Sequence, residues 1–414
     1  LDAVVVTASG TQRKATVTGA FTTVEVDQLK SPSANLSNSL AGVVPGIIAV
    51  QQSGEPGADA SEFWIRGIST FGASTGALVL VDGIERSFNE IPVADIESFS
   101  VLEDASATAI YGQRGANGVV LITTRKGHKG KVKIDAKLTY GYDIRGKLPQ
   151  YVDGYQYAQM ANEARSGRYE SPMYTPQELD IIQYGLDREL FPNIDWQDLM
   201  LKDGASTMNA NINFSGGGDN ARYFVSGSYY SQDGIYKTQS SLNDYNTNST
   251  YERFNYRTNI DMDITKTTLL RVGVAGFLIN RTQPGAKTDD IWGSLNSTTP
   301  LTVPRIYSNG QIPAYGDKQM SPEVLMTQTG YKKIWENKVE TNVRVEQDLN
   351  FITEGLSITG AFAFDTWNNN TITRYKQPEL WGIYDRKRDA EGNLVLHKLD
   401  DQKEMSQKSE TKGT

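Results

Sequence analysis

Cysteine is absent from the 414 residues, and histidine occurs only twice, at His128 and His397. Without a thiol there is no disulfide frame, no Cys nucleophile and no Cys-ligated metal, and the redox compartment stays open. Two histidines in different regions do not make a His-based triad or a multi-His metal centre. An excess of positive charge is missing too: 41 basic against 49 acidic residues leave a net −8, which argues against nucleic acid as the main partner. No stretch approaches the ~18 consecutive apolar residues of a membrane-spanning helix, and mean hydropathy is −0.46. That excludes helical membrane proteins only, because a barrel strand presents every second residue to lipid and is not apolar on average. Gly216-Gly-Gly218 sits in a strand turn rather than before a helix, so it is no phosphate loop. The carboxylates fall mostly on alternating strand faces, where solvated residues are the simpler reading. We therefore expect no enzyme, no metal site and no cofactor. An opening Met and a leader are missing as well, so Leu1 reads as a processed or truncated start.

What is abundant is Tyr (21) and Gly (38), and Tyr suits strands and membrane interfaces. Residues 1–18 read as a tether whose Val4-Val-Val6 favours extended backbone. Such a segment serves as an ordinary first strand or as an edge lent to a partner. Residues 19–130 read as one α+β unit. Ser37 to Val44 is a short helix ended by Pro45-Gly46. Strands are expected over Glu62 to Gly67, Ala77 to Asp82, Asp95 to Leu102 and Gly118 to Thr124. The alanine-rich Asp104 to Tyr111 reads as helix. Pairing 62–67 with 77–82 as an antiparallel hairpin sets loops 52–61 and 84–92 side by side. Those loops carry Gln52, Glu55, Asp59, Glu85, Arg86 and Asn89, a polar cluster suited to a hydroxyl-rich ligand, or simply two solvated loops.

From Lys131 the pattern changes. Val132, Ile134, Ala136, Leu138, Tyr140 and Tyr142 alternate with Lys131, Lys133, Asp135, Lys137 and Thr139. Phe254, Tyr256, Thr258, Ile260, Met262 and Ile264 alternate with Arg253, Asn255, Arg257, Asn259, Asp261 and Asp263. The two-residue period recurs at 208–215, 221–230, 268–278, 338–351 and 356–366, most segments being near the ~10 residues of a tilted membrane strand. The links between them run long, short, long, short, long, short, long. Outer-membrane barrels show this order, with short periplasmic turns and long external loops. A soluble sandwich rarely keeps its long loops on one end. The first long loop has helical spacing at 154–166 and 176–190. Trp196, Trp292, Trp335, Trp367 and Trp381 fall in or beside long loops, where they stack on a ligand or hold the loops together.

The motifs of the first region carry a family resemblance. Leu40-Ala-Gly-Val-Val-Pro-Gly46, Gly54-Glu-Pro-Gly57, Ile65-Arg-Gly67 and Val81-Asp-Gly83 resemble the plug of a TonB-dependent transporter. Asp95-Ile-Glu-Ser98, Val101 to Ala107, Ala109-Ile-Tyr-Gly112 and Arg114 to Val120 are similar to the SusC/RagA subfamily of Bacteroidetes, with Gln113 and Gly115 as small departures. The resemblance implies an α+β plug domain (19–130) followed by an antiparallel transmembrane β-barrel (131–414) in the outer membrane of a Gram-negative bacterium. The family barrel has 22 strands, whereas seven or eight are visible here, so the chain reads as part of a larger one. It implies that Asp2, Ala3, Val4, Val5, Val6, Thr7 and Ala8 form a TonB box. Arg66, Glu97, Glu103, Asp104 and Arg114 become candidates for ion pairs between plug and wall, since buried charges need partners. The implied activity is TonB-dependent import of oligosaccharides alongside a SusD-type surface lipoprotein. The alternatives are import of peptides, a siderophore or cobalamin importer, and a surface receptor or adhesin that does not transport.

Overall fold

The computed structural model describes residues 4–7, 10–13, 21–29, 33–67, 76–103, 108–238 and 245–414. At its head, β1 (Val4–Thr7) pairs antiparallel with β2 (Gly10–Arg13). The small domain that follows contains β3 (Phe21–Val24), β4 (Ile47–Gln51), β5 (Ser61–Ile65), β6 (Leu78–Val81), β7 (Ile84–Glu85), β8 (Ile96–Leu102) and β9 (Val119–Thr124). Five of these make a mixed sheet ordered β3-β8-β9-β6-β7, with β6 parallel to β9. Its apolar face, with Ile96, Phe99 and Val101 of β8, packs on Leu29, Leu36, Leu40 and Phe88, with Phe88 edge-on to Phe63 at 5.5 Å.

The expected hairpin of 62–67 with 77–82 does not form. β5 pairs with β4, Ile47 opposite Ile65, while β6 joins β9 and β7. The run Leu78-Val-Leu-Val81 is apolar on both faces, which suits a strand with neighbours on either side. β5 buries only Ile65 and stays in a two-stranded ribbon. A tight turn does occur one step later: Asp82 (φ 51°) and Gly83 (φ 86°) link β6 to β7. Positive φ at both positions is what a two-residue hairpin of this twist requires. The segment after Leu36 is a short 3₁₀ helix, Leu36–Ser39, rather than a helix over 37–44. Of the expected 104–111 helix, residues 104–107 lie outside the described residues. Ala109–Gly115 is 3₁₀ and broken at Gly112.

The wall is one antiparallel sheet of eight strands: β10 (Gly130–Ile144), β11 (Gly204–Gly217), β12 (Ala221–Asp233), β13 (Thr250–Asp263), β14 (Thr268–Pro284), β17 (Gly330–Asp348), β18 (Ser357–Gln377) and β21 (Lys403–Gly413). Sequential neighbours pair throughout, and short turns lie at one end and long loops at the other. One face of β10 leaves Ile134, Leu138 and Tyr140 exposed; the other face looks onto the small domain. The sheet thus has the apolar-out, polar-in alternation of a barrel wall.

At the long-loop end, β15 (Ile312–Tyr315), β16 (Gln319–Met320), β19 (Leu380–Arg388) and β20 (Leu394–Asp400) form a further small sheet. The loops share a core in which Trp196, Tyr236, Ile291, Leu295, Val303 and Met326 meet, so Trp196 holds the loop layer together. The helix expected over 176–190 stops at Tyr184, because Gly185 takes the left-handed C-terminal position (φ 61°). Its start is the expected one, with Thr175 and Glu178 capping each other. Arg386 pairs with Glu178 at 2.8 Å, and Arg388 with Asp187 at 2.5 Å, joining the last long loop to the first.

Candidate functional site

The polar face of β13 is where the small domain is held. Four residues at every second position reach inward, spanning about 20 Å at the rise of a strand. Arg253 donates from Nη2 to the Ala34 carbonyl at 2.7 Å. Asn255 donates to the Glu90 carbonyl at 2.6 Å. Arg257 Nε meets Asp95 Oδ2 at 3.3 Å, and Asn259 donates to Thr124 Oγ1 at 3.0 Å and to the Arg125 carbonyl at 2.7 Å. Three of the four rungs thus end on backbone carbonyls, which accept without carrying charge. The exception is a buried ion pair. Burial pushes the Asp95 carboxyl up from its ordinary value, against the pull of Arg257.

Two further anchors flank this seam. The Arg86 side chain is 2% exposed and is bidentate to Asp365 of β18, through Nε at 2.8 Å and through Nη2. Glu340 of β17 lies 3.8 Å away. Above the seam, Glu55 accepts from Ser249 at 3.0 Å, Gln283 at 2.7 Å and Thr288 at 2.7 Å. Thr288 opens the loop-layer helix Thr288–Ser297, so one carboxylate ties the small domain to both wall and loops. Gly57 beside it has φ 73°, and a β-carbon there would lie 2.3 Å from the Tyr251 ring. Only glycine lets the loop come this close, with Arg281 donating to the Gly57 carbonyl at 2.6 Å.

The residues expected to bind ligand divide accordingly. Glu55 and Arg86 face the wall. Asp59 is buried and accepts from Asn35 at 2.7 Å and Asn38 at 3.3 Å. Asn89 Oδ1 accepts from the Ser37 backbone at 3.0 Å. Asp59 and Asn89 therefore hold the same 35–38 turn, and this third segment, not a hairpin, gathers the two loops. Gln52 and Glu85 are exposed.

The expected ion pairs to the wall fall elsewhere. Arg66 binds Glu103 at 2.9 Å inside the small domain. Glu103 also accepts from Thr22 at 2.7 Å. Arg114 pairs with Glu85, likewise within the domain. Glu97 is exposed with no ion-pair partner among the described residues, and Asp104 lies outside them. The physical reason is the nearer partner: Arg66 and Arg114 meet carboxylates of the small domain itself, whereas Arg86 and Asp95 reach charged groups on the sheet. The sequence signal that could have found the seam is the Arg-x-Asn-x-Arg-x-Asn run at 253–259, two long cations and two amides on one strand face. Of the segment expected to meet TonB, Asp2, Ala3 and Ala8 lie outside the described residues. Val4 to Thr7 pair with this chain's own Arg13 to Gly10.

Comparison with known proteins agrees with this architecture. Residues 13–119 match the family model described as TonB-dependent Receptor Plug Domain. The chain is 31% identical over 389 residues to TonB-dependent receptor P3 of Formosa agariphila, covering 91% of this chain and 35% of the relative. It is 31% identical over 252 residues to TonB-dependent receptor SusC of Bacteroides thetaiotaomicron, covering 58% of this chain and 23% of SusC. Among solved structures, the RagAB peptide importer in its open-open state superposes with a TM-score of 0.72 at 25% identity, over 91% of this chain and 43% of that one. The closed-closed state gives 0.70 over 88% and 42%. The chain thus spans about a third or less of the curated relatives and under half of these solved chains.

Proposed function

The chain is a plug and eight wall strands of a TonB-dependent receptor of the SusC/RagA type, and from that premise we propose that the full-length protein imports oligosaccharides across the outer membrane, driven by TonB and working with a SusD-like lipoprotein. The observation that carries the import reading is the polar seam at 253–259. Such a plug stays seated through hydrogen bonds that individually contribute about 0.5–1.5 kcal/mol net, so a pull applied from one end breaks them in sequence rather than against a dry apolar core. A ligand at the outer loops has a route to the plug through Glu55, which touches both.

In this reading Val4 to Thr7 give up or extend their local pairing to add a strand to TonB, since a two-stranded ribbon leaves an outer edge on each strand. The test is deletion of residues 1–9 from the full-length protein: energised uptake is lost while ligand binding in detergent extracts persists. Uptake that survives the deletion rejects the reading. Peptide import is the second reading, favoured by the likeness to the RagAB peptide importer. Competition of uptake by oligosaccharide against peptide mixtures separates the two.

A further inference from the structure

Above the Asp95 rung the plug stands off from β10–β12 and leaves a cavity of about 440 Å³, inside the range of about 300–1,000 Å³ typical of small-molecule sites. Its two sides differ. Ile91, Pro92 and Val93 give the plug side an apolar patch beside Ser33 and Ser39, while Lys137, Thr207 and Asn211 stand on the wall side. Among the described residues no Asp or Glu lines it, in a chain of net charge −8.

Two of the wall groups have unused hydrogen-bonding capacity. Thr207 Oγ1 and Asn211 Nδ2 are buried and have no hydrogen-bond partner among the described residues; the Asn211 amide is engaged through Oδ1, which accepts from Asn213 at 3.4 Å. Buried polar groups are nearly always paired, with protein, ligand or ordered water, so these two donors lining one cavity offer partners to a ligand's oxygens. They lie four residues apart on the same strand face, about 13 Å along β11, which calls for an elongated molecule. Lys137 makes no ion pair among the described residues and supplies the cation. The other cation of the lining, Arg253, is already committed to the Ala34 carbonyl.

We propose that this cavity is a ligand subsite beside the plug, taking an elongated, oxygen-rich molecule that carries a carboxylate. The carboxylate meets the Lys137 ammonium, ligand oxygens accept from Asn211 Nδ2 and Thr207 Oγ1, and an apolar face lies on Pro92 and Val93. The inference rests on the import reading and narrows its substrate class. A uronic-acid oligosaccharide and a short peptide with a free C-terminus share this chemistry.

Calorimetric titration of the detergent-purified full-length protein tests it, and requires no TonB, so its outcome is separate from that of the uptake test. The probes are trigalacturonate, a neutral galactose trisaccharide, trialanine and trialanine amide. At least one acid is expected to bind, at least tenfold more tightly than its neutral counterpart, and whichever acid binds identifies the source. Lys137→Ala and Asn211→Asp are each expected to weaken that acid at least tenfold. Lys137 is exposed and Asn211→Asp preserves shape, so both variants should fold. Affinity unchanged by both substitutions, equal binding of the neutral probes, or binding of neither acid overturns the proposal.

Discussion

Asp95 of the plug and Arg257 of the wall meet at 3.3 Å with their side chains 2% and 7% exposed, the one ion pair in a β13 ladder whose other three rungs end on backbone carbonyls. Removing one partner leaves the other charged and buried, at a cost of about 3–5 kcal/mol. Arg257→Ala is therefore expected to lower the thermal midpoint of the full-length protein and to expose the plug to protease. Pairing Asp95→Asn with Arg257→Met should recover most of the loss. Equal protease resistance of Arg257→Ala and the parent protein would show that the pair contributes nothing to seating.

Glu55 reaches the plug's neighbours in two layers at once. Glu55→Ala leaves Gln283 and Thr288 without the acceptor each finds at 2.7 Å. We expect faster amide exchange in 53–60 and in 288–297 together, while the β13 seam keeps its protection. Faster exchange on only one side would mean that the carboxylate does not couple the layers.

The Asp59 carboxyl is pushed up from 3.8 by burial, with the amides of Asn35 and Asn38 only partly opposing this. The folded state therefore holds this proton more tightly than the unfolded chain. The stability it contributes is complete below the unfolded value and is lost as pH rises through the higher folded value. From about pH 4 upward, this residue makes plug stability fall with rising pH until the folded carboxyl has ionised. Asp59→Asn should flatten that part of the profile in thermal melts of the full-length protein, and an identical slope in the variant would assign the dependence to other groups.

Much of the wall was legible because strand alternation is local. Which face of β13 is polar follows from a two-residue period that no partner can change. The same holds for the long and short links and for the start of the helix at Pro176, each written in a few adjacent residues. The plug motifs were legible as a series, and Gly57 has a visible cause: a β-carbon there would overlap Tyr251.

What the sequence determined by itself, then, is a compact α+β unit followed by a wall of alternating strands. Tertiary structure alone decided which plug charges meet that wall. Arg66 and Arg86 are both arginines beside strand ends, yet Arg66 turns to Glu103 within the plug and Arg86 to Asp365 across the interface. It also decided that β5 pairs with β4 and that β6 lies beside β9, and hence that Asp59 and Asn89 brace one turn. Strand partners and buried charge partners are chosen by packing between residues far apart in the chain. A pattern read along the chain specifies the faces of a strand, but not what each face will meet.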